Sequence, residues 1–399
     1  MRWLRRVLAS AIVPLILVTA AAPSAQALTP RWTRRIDMIV AGHPISVMVG
    51  DDGGVWYRHG TAVERPPASN EKLLLSMALF DRLGPGRTFQ TRAMALDVDV
   101  DGTIADNLWL RGQGDPEVSE PRLARLAQRI LDAGIHRIDG RVIGVTGPFQ
   151  RDWFAPGWKS YFPRDYIALP TALTFRGNVD ASGTHISDPE RRAAAYLTRR
   201  LRELGVRVEG KPGAGTAPPG LSVVATITSQ PLRTLVRHMD MRSVNFSAEV
   251  LGKALAFDAG DPGSIANAAA AICGYEAAHG VAATCHDSSG LSYANRQTAA
   301  GIVRMLWVAD RQPWAGTLRM SLPDGGQGTL KGRLAGVRVR AKTGTLDNAS
   351  ALSGWVWSDA ADTWIEFSLL TSGMNEYAAK DLEDRIVHVL AVNARDPAP

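Results

Sequence analysis

The chain has 399 residues, of which 45% are hydrophobic and 21% charged, with a formal net charge of +6. That length and balance allow two or more packed domains and exclude a disordered or fibrous chain. The excess charge falls to +3 once Arg2, Arg5 and Arg6 are set aside with the leader described next. This is too small for a surface built to bind nucleic acid, and weak attraction to acidic polymers is the most it supports.

Residues 1–27 read as a secretion signal. "MRWLRR" is a basic start, "VLASAIVPLILVTAAA" is an apolar stretch interrupted by Pro14, and Ala25-Gln26-Ala27 is a small-x-small cleavage site. The apolar run is short for a membrane span, and no cysteine lies near the cleavage site to carry a lipid. An exported protein is expected, with no stable transmembrane span once the leader is cut.

The segment "HPISVMVGDDGGVWYRHG" predicts two strands around an Asp-Asp-Gly-Gly turn. "NEKLLLSMALFDRL" then has helical apolar spacing at Leu73, Leu74, Met77 and Phe80 and stops at Gly84-Pro85. Ser69 stands at the N-terminus of that helix. Lys72, three residues on, shares its face.

From about Phe89 to Thr226 the texture changes. "RAMALDVDVDGTIADNLWLRG" predicts a strand pair, and "LARLAQRILDAGIHRIDGRVIGV" and "AAYLTRRLRELGVRVEG" each run helix, glycine, strand. The stretch carries little that resembles chemistry. It is read as an inserted α+β domain or pair of subdomains, residues 89–226, interrupting a catalytic domain of residues 28–88 and 227–399.

In "PLRTLVRHMDMRSVNFSAEVLGKALA" the spacing predicts a helix with Ser243-Val244-Asn245 at its middle. "CGYEAAHGVAATC" holds the only two cysteines, Cys273 and Cys285, which in an oxidising compartment favours a disulfide closing a short loop. Adding His279 and His286 matches no standard zinc spacing, so no metal site is assigned. "GVRVRAKTGT", "SALSGWVW" and "TWIEFSLLTSG" predict strands, the first of them edge-like, and "YAAKDLEDRIVHVLAVNA" an amphipathic helix. Strands at both ends with helices between them imply an α+β fold, an antiparallel sheet covered by helices.

Three short motifs fall in order along the catalytic part: Ser69-Asn70-Glu71-Lys72, Ser243-Val244-Asn245 and Lys342-Thr343-Gly344-Thr345. Each of the first two is weak alone, but the ordered set arises by chance roughly once in several hundred such chains. Among 45 Lys+Arg only seven are lysines, so a lysine at position 72 calls for a reason. A catalytic base must lose its proton, which arginine essentially cannot do, whereas burial and neighbouring cations tune a lysine down. Lys342 suits an anionic substrate group, Thr343 adds a hydroxyl, and Gly344 lets backbone approach substrate. The amides of Ser69 and Thr345 are the natural pair of donors for an oxyanion.

These motifs, with "GQGDP", "APGW", "DSSGLSYANRQT" and "SLPDGGQGTLKGR", resemble the low-molecular-mass class C D-alanyl-D-alanine carboxypeptidase/endopeptidase family of penicillin-binding proteins. The likeness runs over nearly the whole mature chain. It implies a transpeptidase/β-lactamase-like catalytic domain with an insert between the first two motifs, located in the cell wall, periplasmic space or outside the cell. By the same resemblance Ser69 is the acylated nucleophile, Lys72 its general base, Ser243 a proton shuttle and Asn245 a clamp on the substrate amide. Lys342 and Thr343 hold the terminal carboxylate of a peptidoglycan stem peptide, or of a β-lactam acting as covalent inhibitor, and no cofactor is called for. Two positions depart from the family. Where an Asp pair precedes a Phe, this chain has Val145-Thr146-Gly147-Pro148-Phe149, and where Arg follows Ser-Gly-Leu-Ser it has Tyr293. Peptides with a free charged diamino-acid end are therefore expected to gain little over neutral ones.

The competing readings are a β-lactamase on the same motifs and a wall-binding scaffold with a weak site. A Ser-His-Asp hydrolase lacks a G-x-S-x-G elbow, and a zinc protease lacks H-E-x-x-H.

Overall fold

Residues 31–52 and 54–396 are described by a computed structural model; the leader expected at residues 1–27 lies outside them. Five antiparallel strands form the main sheet, in the order Val339–Leu346, Ala349–Ser358, Thr363–Thr371, Ile45–Asp51, Gly54–His59. The sheet is covered on both faces, and the two-residue period of the strands sorts the side chains between them. Along Ala349–Ser358, Leu352 and Val356 join the core built with helices Arg31–Val40 and Glu376–Asn393, through Trp32, Ile36, Val387 and Leu390. Ala351 and Trp355 face the opposite way, into the core shared with the central helices.

The central helix Glu71–Leu83 is buried all round from Glu71 to Phe80, as expected of a helix enclosed by others rather than laid on a surface. Leu73, Leu74, Met77 and Phe80 are at most 1% exposed, each worth roughly 1.5–3 kcal/mol of burial. The helix ends where Gly84, at φ 75°, returns its N–H to the Phe80 carbonyl. Helix Ile265–Ala278 packs alongside, and the disulfide between Cys273 and Cys285 ties it to the loop that follows.

Between Phe89 and Ser229 a second sheet forms, in the order Ser222–Thr228, Gln90–Ala95, Leu108–Gly112, Val142–Val145, Gly213–Gly215. The two helix, glycine, strand units lie side by side. Their helices Glu120–Asp132 and Pro189–Glu203 share one apolar core, and their strands Arg137–Ile138 and Arg207–Val208 pair in parallel.

Two features depart from the sequence expectations. Residues 231–256 are not one helix. Leu232–Arg242 ends at Ser243, whose φ of 55° and ψ of 46° are left-handed, Val244 is extended, and a second helix starts at Asn245 and runs to Asp258. A continuous helix would have pointed Ser243 and Asn245 nearly opposite ways; the break turns both to one side. Inside the stretch read as an insert, residues 153–169 also pack back on the catalytic side. There Trp158 Nε1 donates to Asp287 at 2.7 Å, and Phe162 and Ile167 share a core with Ile265 and Leu291.

Candidate active site

Ser69 lies in a single 3₁₀ turn, Ala68–Asn70, that runs straight into helix Glu71–Leu83. Ala68 is held at φ 47°, a conformation that residues with side chains seldom adopt. Two glycine backbones clamp it there. A Cβ on Gly290 would stand 1.8 Å from the Ala68 carbonyl oxygen, and one on Gly344 would meet Ser69 N at 3.0 Å. No side chain fits at either place, so the strand carrying Gly344 and the turn carrying Gly290 reach the nucleophile's backbone directly.

One helical turn on, Lys72 is fully buried. Its Nζ donates to Ser69 Oγ at 2.9 Å, to Asn245 Oδ1 at 2.8 Å and to the Ser289 carbonyl. Burial pulls its pKa down to about 8, against the upward pull of Asp287, Glu249, Asp240 and Glu71. Asn245 also donates through Nδ2 to the Tyr166 carbonyl at 3.3 Å, which joins the returning segment to the site.

Lys342 is likewise fully buried. Its Nζ donates to Ser243 Oγ at 3.0 Å and to the Thr343 carbonyl at 2.9 Å. Burial and the nearby Lys72 charge push its pKa down to about 7, opposed by Asp240. Its strand is the edge of the main sheet. Ala341 N–H bonds the Pro323 carbonyl outside the sheet, and the alternation of the strand places the Thr345 N–H on that same outward edge, beside the Ser69 turn.

Buried acids build the floor. Asp287 is fully buried and accepts from Trp158 Nε1, Ser289 Oγ, Asn295 Nδ2 and the amides of Gly290 and Ser292, which locks the loop that clamps Ala68. Glu249 accepts the amides of Ser288 and Ser289 at 2.9 and 2.8 Å, and burial raises its pKa to about 8. Glu71 is driven well above the usual carboxylate range by burial and by Glu276, Asp287 and Glu249. Asp240 is lifted by burial to about 7, with the hydroxyls of Ser76 and Ser321 each 3.0 Å from its Oδ2.

Above this floor opens a cleft of about 430 Å³. Ser69, Ser243, Asn245, Thr343 and Thr345 line it, with Lys72 and Lys342 buried behind them and Gly344 packed beneath the Ser69 turn. The three motifs thus meet at one place. The other wall holds residues that sequence reasoning missed: Tyr161, Phe162 and Tyr166 from the returning segment, Leu291, and Arg333 and Lys380 at the rim. Tyr293, noted in the sequence only as a departure, lies 4.8 Å from Lys159 Nζ across its ring, and Lys159 pairs with Asp347. The aromatic cluster in "WKSYFPRDY" was the one signal that could have found this wall. Nothing in its spacing says that it folds back over a cleft whose other residues lie more than 70 positions away in sequence.

The model of the D-Ala-D-Ala carboxypeptidase 3 (S13) family matches residues 40–183 and 172–393. The D-alanyl-D-alanine carboxypeptidase of Actinomadura sp. (strain R39) is 25% identical, over 84% of this chain and 78% of its own. Carboxypeptidase DacB of Mycolicibacterium smegmatis is 29% identical, over 81% of this chain and 74% of its own. The crystal structure of penicillin binding protein 4 (dacB) from Haemophilus influenzae superposes with a TM-score of 0.77 at 19% identity, covering 89% of this chain and 98% of that one. That likeness establishes a shared fold, an α+β transpeptidase-like architecture.

Proposed function

The chain belongs to the D-Ala-D-Ala carboxypeptidase 3 (S13) family, and on that footing we propose that it is a serine DD-peptidase working through an acyl-enzyme on Ser69. The observation that carries this reading is the fully buried Lys72 amine, hydrogen bonded at once to Ser69 Oγ and Asn245 Oδ1. A lysine with its pKa near 8 supplies neutral amine at working pH. The neutral Nζ takes the Ser69 proton as Oγ attacks the carbonyl carbon of the penultimate D-Ala. The negative charge that develops on the carbonyl oxygen falls to the amides of Ser69 and Thr345.

The leaving D-Ala nitrogen needs a proton as the C–N bond breaks. Ser243 Oγ gives it and is reprotonated through Lys342 Nζ, its 3.0 Å partner. As D-Ala leaves and water enters the cleft, the proton that Lys72 took passes by way of that water to Lys342, which had given one up. Neutral Lys72 then takes a proton from the water that attacks the ester and returns it to Ser69 Oγ, which restores the serine. The terminal carboxylate meets the hydroxyls of Thr343 and Thr345, which line the cleft, with the Lys342 charge behind them. Asn245, held between Lys72 and the Tyr166 carbonyl, orients the substrate amide. The same steps apply to D-Ala cross-link bonds. The partners are peptidoglycan stem peptides, with β-lactams as covalent inhibitors, for an exported protein acting at the wall. Residues 28–88 and 227–399 are proposed as the catalytic unit and 89–226 as the insert.

The test is D-Ala release from a stem peptide ending in D-Ala-D-Ala. Purified protein is expected to release it with a linear time course, and Ser69→Ala to release none. Equal release by the two proteins would remove Ser69 from the chemistry.

A further inference from the structure

Away from the cleft, the antiparallel pairing of strands Gln90–Ala95 and Leu108–Gly112 sets Arg92 directly opposite Arg111. Two like charges across one sheet pair repel, and sheets avoid the arrangement. Among the described residues no acid pairs with either of them, and Asp258, which lines the same cavity, is paired with Arg82 and Arg87. Arg92 Nε donates to Gln90 Oε1 at 2.7 Å, and among the described residues the Arg111 guanidinium has neither a hydrogen-bond nor an ion-pair partner. Arg87 stands near them, 3.5 Å from Asp258, whose one carboxylate it shares with Arg82.

These three guanidinium groups line a cavity of about 330 Å³ whose remaining walls include Phe89, Phe257 and Pro148. A second hollow of about 700 Å³ continues from it, sharing Arg111 and Pro148 and running past Arg151. Two linked hollows with an unneutralised arginine at their junction suit an extended ligand better than a small one. Arginine's planar fork suits phosphate or carboxylate oxygens.

We propose that this groove, where the second sheet meets helix Asn245–Asp258, binds an anionic polymer, with one phosphate or carboxylate group held between Arg92 and Arg111. The ligand relieves the repulsion of the pair, and the chain to either side lies over Phe257 in one hollow and along Arg151 in the other. The assignment goes beyond the peptidase reading and stands without it.

The experiment is fluorescence polarisation of two labelled oligomers, a poly(glycerol phosphate) and an oligogalacturonate, with the purified protein. The Arg92→Gln/Arg111→Gln variant is expected to bind at least about tenfold more weakly than the parent. The charge-matched control Arg191→Gln/Arg199→Gln, on an exposed helix face, keeps parental binding. Thermal unfolding reports whether the double variant is folded; if it is not, Arg111→Glu, a single change at an exposed position, reads the same groove. Stronger binding of one oligomer identifies phosphate or carboxylate as the anion. Failure of both oligomers to bind, or equal losses in the double variant and the control, would overturn the proposal.

Discussion

Lys72 Nζ stands 2.9 Å from Ser69 Oγ, one helical turn apart, with no solvent access to the amine. Lys72→Arg keeps a cation of similar reach but removes the ability to give up a proton. Acylation by a penicillin is expected to slow by about 10²–10⁴ while the variant stays folded. Stopped-flow or gel-based labelling rates check this, and a variant that labels at the parental rate contradicts the role of base.

The pH profile follows from the two buried lysines. Lys72 titrates near 8 and Lys342 near 7, both brought down first by burial. At low pH both are charged and Lys72 cannot take a proton; at high pH both are neutral and the carboxylate loses its cation. Lys342 is the first to lose its proton, so the working form, with Lys72 neutral and Lys342 charged, is the minor arrangement of the singly protonated pair and rises and falls with that pair. kcat/KM for a D-Ala-D-Ala peptide is therefore expected to be bell-shaped, with limbs near 7 and 8. A bound carboxylate favours charged Lys342, so the alkaline limb of kcat moves above that of kcat/KM. A profile without an acid limb would contradict the assignment.

Gly290→Ala brings a methyl group to 1.8 Å from the Ala68 carbonyl at a backbone φ of 78°. The turn that carries Ser69 must shift. Loss of roughly 1–3 kcal/mol of stability is expected, together with at least about tenfold slower acylation. Thermal unfolding and labelling rates measured on one preparation separate the two effects.

Ser243 serves twice, as the left-handed residue between two helices and as the hydroxyl on Lys342. Ser243→Gly relieves the backbone and Ser243→Ala does not, so the glycine variant is expected to be more stable by about 1 kcal/mol. Both lose the hydroxyl, and D-Ala release is expected to fall in both by about 10²-fold or more. Turnover that recovers with stability would assign Ser243 to the backbone alone.

Asp347 is the one acid among the described residues lining the cleft, and Lys159 occupies it. Stem peptides with a free ammonium on the diamino acid are expected to gain no more than about threefold in kcat/KM over acylated ones. Competition between the two peptides measures it, and a preference of about a hundredfold for the ammonium form contradicts the reading.

Much of the catalytic framework was legible because its signals are local. The apolar spacing of Leu73, Leu74, Met77 and Phe80 marks the central helix, and the alternation around Lys342 marks a strand. The ordered motifs place their side chains because each sits on or beside such an element. The break at Ser243 was hidden. Residues 232–258 carry helical apolar spacing on both sides of it, and a single left-handed residue leaves that period almost undisturbed. The wall of Tyr161, Phe162 and Tyr166 was hidden for another reason: tertiary contacts such as Trp158 to Asp287, 129 residues apart, bring it to the cleft. The roles of the buried acids Glu249 and Asp287 were hidden too, because the loop amides they accept are set by the folded chain and leave no local signal.

The measurement that tests the acyl-enzyme on Ser69 most directly is intact mass over hours after one addition of benzylpenicillin, beside Ser69→Ala. A persistent gain of one penicillin mass, mapped to the peptide containing Ser69 and missing from the variant, is the result this account predicts. A folded parent that gains no mass would contradict it, as would an adduct that survives Ser69→Ala.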